Sequence, residues 1–270
     1  MDWKDKITLI TGASSGIGRE TSLIAAKKGA RLILTARRKK ELLDLSDEIE
    51  ASGGIKPYII PADIATPEGK NKITGEIIKH FGSLQILINN AGITAHGRFD
   101  ETKPDIIRKT MEINFFAMAE LTMELLPVIK AASGRKIILY VSTPSGLYGI
   151  PDRCAYSTSK AAGTVLMDTL RMELKAFDIH TINFCPGYTR THLRAHGISG
   201  KGAILSEDQS VEAKSVHFTA SKLIACVEKE RRIGFTDKNG WAVFLLRSIW
   251  PGLLERLILK KLQDELKPKS

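Results

Sequence analysis

The chain is poor in cysteine, poor in aromatic residues and short of acid. Its three cysteines, Cys154, Cys185 and Cys226, are widely spaced and odd in number. That pattern excludes a disulfide framework and a zinc-binding spacing, and it fits a reducing compartment. Aromatic residues make up 6% of the chain. They are not interleaved with basic residues, and no recognition helix stands out, so nucleic-acid binding is not expected. No run reaches the roughly 18 uninterrupted apolar residues of a membrane-spanning helix. Met1 to Lys6 has no apolar core followed by a small-residue cleavage site, so a signal peptide is not expected and the expected location is cytoplasmic. Repeats, low-complexity tracts and Pro/Ser-rich linkers are missing as well. The plainest deficit is in carboxylates: 30 Asp and Glu against 40 Lys and Arg leave a net charge of +10. Such an excess calls for an anionic partner, either a phosphate-bearing cofactor or an acidic surface.

What is present is ordinary globular material, 43% hydrophobic and 26% charged over 270 residues. Short β-rich runs lie at residues 7–11, 31–36, 57–62, 84–90, 136–142, 180–185 and 233–236. Most are nearly continuous Ile, Leu and Val, as in strands buried on both faces of a parallel sheet. Amphipathic stretches at 19–28, 38–51 and 70–80 separate the first of them. This alternation predicts an α/β fold: a Rossmann-type, doubly wound parallel sheet of about seven strands with helices on both faces. Residues 1–238 then form one domain, and 239–270 form an apolar, basic helical extension of it. The length therefore reads as one domain rather than two.

The sequence Thr11-Gly12-Ala13-Ser14-Ser15-Gly16-Ile17-Gly18 follows the first strand and opens the first helix. Glycines let the backbone approach a pyrophosphate, and the helix N-terminus favours its charge. The second strand ends Thr35-Ala36-Arg37-Arg38-Lys39-Lys40, with no carboxylate to accept from the ribose hydroxyls of NAD. Arg37 and Arg38 suit a 2′-phosphate instead. NADP(H) is therefore favoured over NAD(H).

Tyr156-Ser157-Thr158-Ser159-Lys160 opens a long helical pattern. The spacing of four puts Tyr156 and Lys160 on one face. A free phenol has a pKa of about 10, and a nearby ammonium favours its ionised form. The two therefore suit acid–base work together.

Taken together, the glycine turn, Asn89-Asn90-Ala91-Gly92, Asn114, Tyr156 to Lys160 and Pro186-Gly187 strongly resemble the short-chain dehydrogenase/reductase family. The resemblance covers roughly residues 7–191. It implies that Gly12, Ser14, Ser15, Gly16, Ile17 and Gly18 cradle a dinucleotide. It implies that Asp63 and Ile64 contact adenine, and that Asn89, Ala91 and Gly92 support the central sheet beside the cofactor ribose. Asn114 resembles the helix-kink asparagine that holds a proton-relay water. Tyr156 is implied as the acid/base, and Lys160 as the nicotinamide-ribose ligand that lowers the phenol pKa. Pro186, Thr189 and Thr191 resemble contacts to the nicotinamide end.

The family usually carries serine thirteen residues before the tyrosine, and here that position is Thr143. A threonine hydroxyl donates the same hydrogen bond to a substrate oxygen, so Thr143 is expected to take the role. Ser145 is the substitute if it does not, while Ser142 should face the other way. The family commonly forms dimers or tetramers through the helices carrying Asn114 and Tyr156, so a homo-oligomer is expected.

The implied reaction is hydride transfer between a nicotinamide and a small-molecule carbonyl or secondary alcohol. The alternative is a non-catalytic, redox-sensing dinucleotide-binding protein, which commonly loses the Tyr–Lys–Asn set. Residues 188–209 stand where the substrate loop lies. His192 and His196, spaced by four, lack a third ligand and read as loop residues, not a metal site. Cys154 and Cys185 read as packing residues.

The tail is distinctive. Trp241, Val243, Phe244, Leu245, Leu246, Ile249 and Trp250 form an apolar run. After Pro251, Leu254, Leu257, Ile258 and Leu262 share one helical face. Residues 229–270 carry ten Lys and Arg against five Asp and Glu, so half of the charge excess sits there. Such helices either lie peripherally on a membrane or cover the protein's own core or a dimer seam. With Pro186-Gly187-Tyr188, the tail resembles a subgroup that includes hydroxysteroid dehydrogenases and acyl-dihydroxyacetone-phosphate reductases. That resemblance implies an apolar, lipid- or steroid-like ketone.

Overall fold

The computed structural model describes residues 1–191, 193, 197–205 and 213–262. His192, His196, part of the 188–209 loop and the last residues of the extension lie outside the described residues. Strands β1 (Ile7–Thr11), β2 (Arg31–Ala36), β3 (Tyr58–Pro61), β4 (Ile86–Asn89), β5 (Ala95–His96), β6 (Lys136–Val141), β7 (Ile179–Cys185), β8 (Ile198–Ser199) and β9 (Ile233–Phe235) alternate with helices. Seven of them form one sheet in the order β3-β2-β1-β4-β6-β7-β9, every neighbouring pair parallel. The order reverses beside β1, which opens a crevice at the carboxyl ends of β1 and β4.

The sheet is buried on both faces because its apolar residues do not alternate with polar ones. Successive residues point to opposite faces. Ile10, Leu34, Ile88 and Leu139 pack with the helices α1 (Gly16–Lys27), α2 (Lys39–Ala51) and α7 (Val216–Glu228). Their neighbours Leu9, Ile33, Leu87 and Ile138 pack on the other side. There they meet α3 (Pro67–His80), α5 (Ala117–Ala131) and α6 (Cys154–Glu173). Pro67 at the first turn and Thr66, whose hydroxyl accepts from the Gly69 amide at 3.0 Å, start α3 cleanly.

One feature has no counterpart in the sequence reading, and a second gives form to the helix kink that the resemblance implied at Asn114. β5 and β8 form a separate two-stranded parallel ladder, with Ala95 opposite Ile198. A π-helical turn, Glu112–Phe116, joins α4 (Pro104–Met111) to α5. Asn114 is at its centre, fully buried.

The extension folds as α8 (Lys238–Ile249) and α9 (Pro251–Lys261), separated at Pro251. Asp237 caps α8 by accepting from the Gly240 amide at 3.0 Å. Leu254 is buried, while Leu257, expected on the same face, is turned out to solvent. Arg247 donates to the Leu147 carbonyl at 3.3 Å, and α9 faces Tyr148, Gly149 and Pro151 across a cavity. The extension therefore stands beside the loop that follows β6. Among the described residues, no helix is long and apolar enough to cross a membrane.

Candidate active site

The turn after β1 is held open by backbone geometry. Gly12 has φ +66°, a conformation that L side chains rarely adopt, and a Cβ there would stand 2.9 Å from the Ala91 Cα. A Cβ at Gly18 would meet the Gly12 carbonyl oxygen at 2.5 Å. The strand–helix turn and the Asn90–Ala91 segment therefore touch backbone to backbone. Asn90 stitches them together: its Nδ2 donates to the Thr11 carbonyl at 2.9 Å and the Gly12 carbonyl at 3.2 Å. The amides of Asn90 and Ala91 donate to the Thr11 hydroxyl, each at 3.0 Å.

Beside this turn lies a cleft of about 380 Å³ lined by Ser14, Ser15, Gly16, Arg19, Arg38 and Arg190, among others. Arg38 donates to the Ser14 hydroxyl through Nη2 at 2.9 Å and Nε at 3.3 Å. Arg37 goes elsewhere, facing the Asp63 carboxylate at 3.8 Å. The two arginines, read together from sequence, thus diverge, and Arg38 alone is on the cleft. Asp63 also accepts from the Ala65 amide at 3.0 Å, which shapes its own turn. The Ile64 side chain is buried in the core.

Asn89 faces inward, where its Nδ2 donates to the Thr122 hydroxyl at 3.0 Å. It anchors β4 to α5. Gly92 lies against Asn114 and Lys160, since a Cβ there would meet Asn114 Oδ1 at 2.9 Å and Lys160 Nζ at 3.3 Å. Past β7, Pro186 begins the turn in which the Gly187 amide donates to the Thr236 hydroxyl at 2.8 Å. Thr189 bonds the Thr219 hydroxyl of α7 at 3.0 Å. Thr191 is beside Gly16, at the opposite lip of the cleft.

The four expected catalytic residues converge. Thr143, just past β6, lies by the Tyr156 phenol and pulls its pKa down. Its hydroxyl also accepts from the Ser145 amide at 3.3 Å. Ser142 turns away, pairing with the Thr164 hydroxyl at 2.7 Å. Burial pushes the Tyr156 phenol up to about 12, against the opposing pull of the Arg153 charge and of Thr143. Lys160 is buried one turn along α6, and its Nζ donates to the Val141 carbonyl at 2.8 Å. Burial lowers its ammonium to about 8. Burial thus drives each group toward its own neutral form: the Lys160 pKa shifts toward neutral pH, whereas that of the half-buried phenol shifts away from it, opposite to the lowering expected from Lys160.

Asn114 is fixed on all sides. Its Oδ1 accepts from the Ile93 amide at 2.8 Å, and its Nδ2 donates to the Ile93 carbonyl at 3.0 Å and the Ser159 hydroxyl at 2.9 Å. Ser159 in turn donates to the Tyr156 carbonyl at 2.8 Å. The π turn and the tyrosine helix are therefore hydrogen-bonded to each other through side chains.

Sequence reading missed Asn90, Ser159, Arg19, Arg190 and Arg153. Arg190 lies between two residues already singled out, and Arg153 stands three before Tyr156, so spacing offered a signal for both. Arg153 also meets His96 of β5 at 2.5 Å. The partnerships of Asn90 and Ser159 run across the fold and leave no local trace. Cys185 and Cys226 are buried, and burial pushes both thiols up, to about 12 and about 11, which suits packing rather than nucleophilic attack.

Comparison with known proteins agrees with this geometry. A family profile described as short chain dehydrogenase matches residues 6–200. Dehydrogenase/reductase SDR family member 7B of Bos taurus is 33% identical over 275 residues, covering 98% of this chain and 84% of that one. A short chain dehydrogenase/reductase from Burkholderia phymatum, solved with NAD, superposes with a TM-score of 0.82 at 20% identity. That match covers 94% of this chain and 96% of the other. One from Sphingobium yanoikuyae, solved with NADPH, gives 0.79 at 24%, covering 93% and 95%. The turn after β1, the buried Asn114 and the Tyr156–Lys160 pair thus stand within a chain that belongs to the short-chain dehydrogenase/reductase family of oxidoreductases.

Proposed function

We propose that the protein is an NADP(H)-dependent carbonyl reductase acting on an apolar, lipid- or steroid-like ketone. The observation that carries the cofactor choice is Arg38, whose guanidinium bonds Ser14 at the rim of the phosphate cleft. Arg19 and Arg190 line the same cleft. The helix N-terminus at Gly16 and a lining of three arginines against one carboxylate, Glu20, fit a pyrophosphate and a 2′-phosphate.

When bound, a nicotinamide cofactor supplies the hydride. The protein's own residues do the rest. Thr143 and Tyr156 hold the carbonyl oxygen, and Tyr156 gives it a proton. An ammonium has three N–H donors and the Val141 carbonyl takes one, so Lys160 keeps donors for a ribose hydroxyl. Asn114 holds the kinked helix against the lysine pocket. The intact, converged Tyr–Lys–Asn set favours catalysis over a redox-sensing role without turnover.

The test is NADPH and NADH oxidation against a panel of ketones. Lipid and steroid ketones should turn over with NADPH, and small polar ketones poorly. Arg38→Ala should raise the NADPH dissociation constant by about ten- to a hundredfold and leave that of NADH alone. Equal loss for both cofactors would show that Arg38 does not read the 2′-phosphate. Turnover confined to small polar ketones would refute the apolar substrate.

Two surfaces extend this reading. Met123 on α5 and Met172 on α6 are 70% and 74% exposed, with Val165 between them in sequence and equally open. Such a face suits a second copy of the chain. On the extension, Trp241, Leu245, Ile249, Trp250 and Leu257 are exposed beside Arg247, Arg256, Lys260 and Lys261. That face suits an anionic bilayer surface. Analytical ultracentrifugation addresses both. We expect a mass of at least two chains without lipid, and pelleting with anionic vesicles that weakens as salt rises. A single-chain mass would dismiss the first surface, and no pelleting at low salt the second.

A further inference from the structure

Tyr140 is a residue of β6 that neither the catalytic set nor the cofactor cleft includes. It has no exposed surface. Its register partners are Asn89 on β4 and Asn183 on β7, so it stands at the middle of the sheet. Its ring lies against Lys160, with Nζ 4.7 Å from the ring centroid. Its hydroxyl donates to the main-chain carbonyl of Asn114 at 3.1 Å. Room for the ring is made by Gly163, one turn beyond Lys160. A Cβ there would stand 2.5 Å from Tyr140 Cε1 and 2.8 Å from its hydroxyl oxygen. One buried side chain thus touches the lysine, the π turn and the helix that carries the catalytic tyrosine.

An ammonium removed from water needs compensation. The Val141 carbonyl provides one hydrogen bond, and an aromatic face within about 6 Å provides electrostatic attraction. A buried tyrosine hydroxyl needs a partner in turn, and the Asn114 carbonyl fixes the orientation of the ring. The other ionisable groups around this pocket are Tyr156 on the lysine's own helix and Cys185 on β7. Neither is a carboxylate, so the ring has no anionic competitor among them.

We propose that Tyr140 is a positioning residue for Lys160: its ring face seats the ammonium beneath Tyr156, and its hydroxyl locks that seat to the π turn at Asn114. The inference rests on Lys160 acting beside Tyr156, but its test needs no substrate.

The experiment is an NMR titration of Lys160 in the full chain, with lysine labelled at the ε-carbon. The signal is assigned by its absence in Lys160→Met. Tyr140→Leu removes the ring and should lower the Lys160 midpoint by about one pH unit. Tyr140→Phe keeps the ring and should leave the midpoint in place. A folded Tyr140→Leu protein with an unshifted midpoint would overturn the proposal. If Tyr140→Leu does not fold, phenylalanine and trifluorophenylalanine at position 140 decide instead. The two have nearly the same shape, but the fluorinated ring has a weaker face. A lower midpoint with the fluorinated ring supports the proposal, and equal midpoints refute it. Because the lysine itself is read, failure of every ketone would sink the proposed activity and leave this result standing.

Discussion

Tyr156→Phe is expected to lower kcat for ketone reduction by about 10²- to 10⁴-fold while NADPH still binds. The ring remains, so the pocket keeps its shape; what goes is the one group placed to give a proton to the carbonyl oxygen. In the proposed reading cofactor binding rests on the turn after β1 and on Arg38, which are remote from the phenol in sequence. The pH dependence of the native protein follows from the same groups. A phenol pushed up to about 12 is protonated throughout the neutral range, as reduction requires. Lysine lowered to about 8 is charged below that value and loses its charge above it. Reduction should therefore be level below about pH 7 and decline above pH 8. Stopped-flow NADPH oxidation across pH 6 to 10 measures both results. Undiminished turnover in Tyr156→Phe would remove the tyrosine from the mechanism.

Thr143→Val should cost about 10²-fold in kcat, the usual effect of deleting one donor to a developing oxyanion. Valine matches threonine in shape, so the loss reports the hydroxyl alone. Thr143→Ser should keep activity near native, because the hydroxyl survives and only a methyl goes. Ser145→Ala serves as the contrast. In the structure Ser145 offers its backbone amide to Thr143, while Thr143 is the residue that acts on the phenol. If Thr143→Val kept nearly full turnover and Ser145→Ala lost it, the roles would be reversed.

Much of the fold was legible because most of the strands are short, nearly unbroken runs of Ile, Leu and Val separated by amphipathic helical stretches. β1 and β2 have the bounds read from the chain, and all seven strands of the sheet are at the expected places. The β5–β8 ladder was not legible, because two residues carry no period. The π turn was not legible either: it differs from the flanking helices by a single hydrogen-bond step, and Asn114 was marked only through resemblance. At the site, Tyr156 and Lys160 were readable as a local pair. The divergence of Arg37 and Arg38 was not, because adjacent residues point apart and their partners, Asp63 and Ser14, come from other elements. Tyr140 read as one more apolar strand residue, since its neighbours Lys160, Asn114 and Gly163 are assembled only by the fold.

The β5–β8 ladder has a consequence for changing what this enzyme accepts. Ile198 is held to Thr94 and Ala95, and Gly200 to His96, while Thr189 is bridged to Lys214. The chain leaving β7 is thus tethered near both ends of the stretch from 189 to 198. Extra residues between fixed tethers cost little, about 0.6 kcal/mol for each doubling of length, and they leave the tethers where they are. Insertions beyond Thr191 in that stretch should then be tolerated, because the tethers and the cleft residues Arg190 and Thr191 keep their places in the chain. Under the proposed function, retuning selectivity becomes a matter of substituting the residues at the tethers themselves, with His96, paired to Arg153 whose charge acts on Tyr156, the first position to vary.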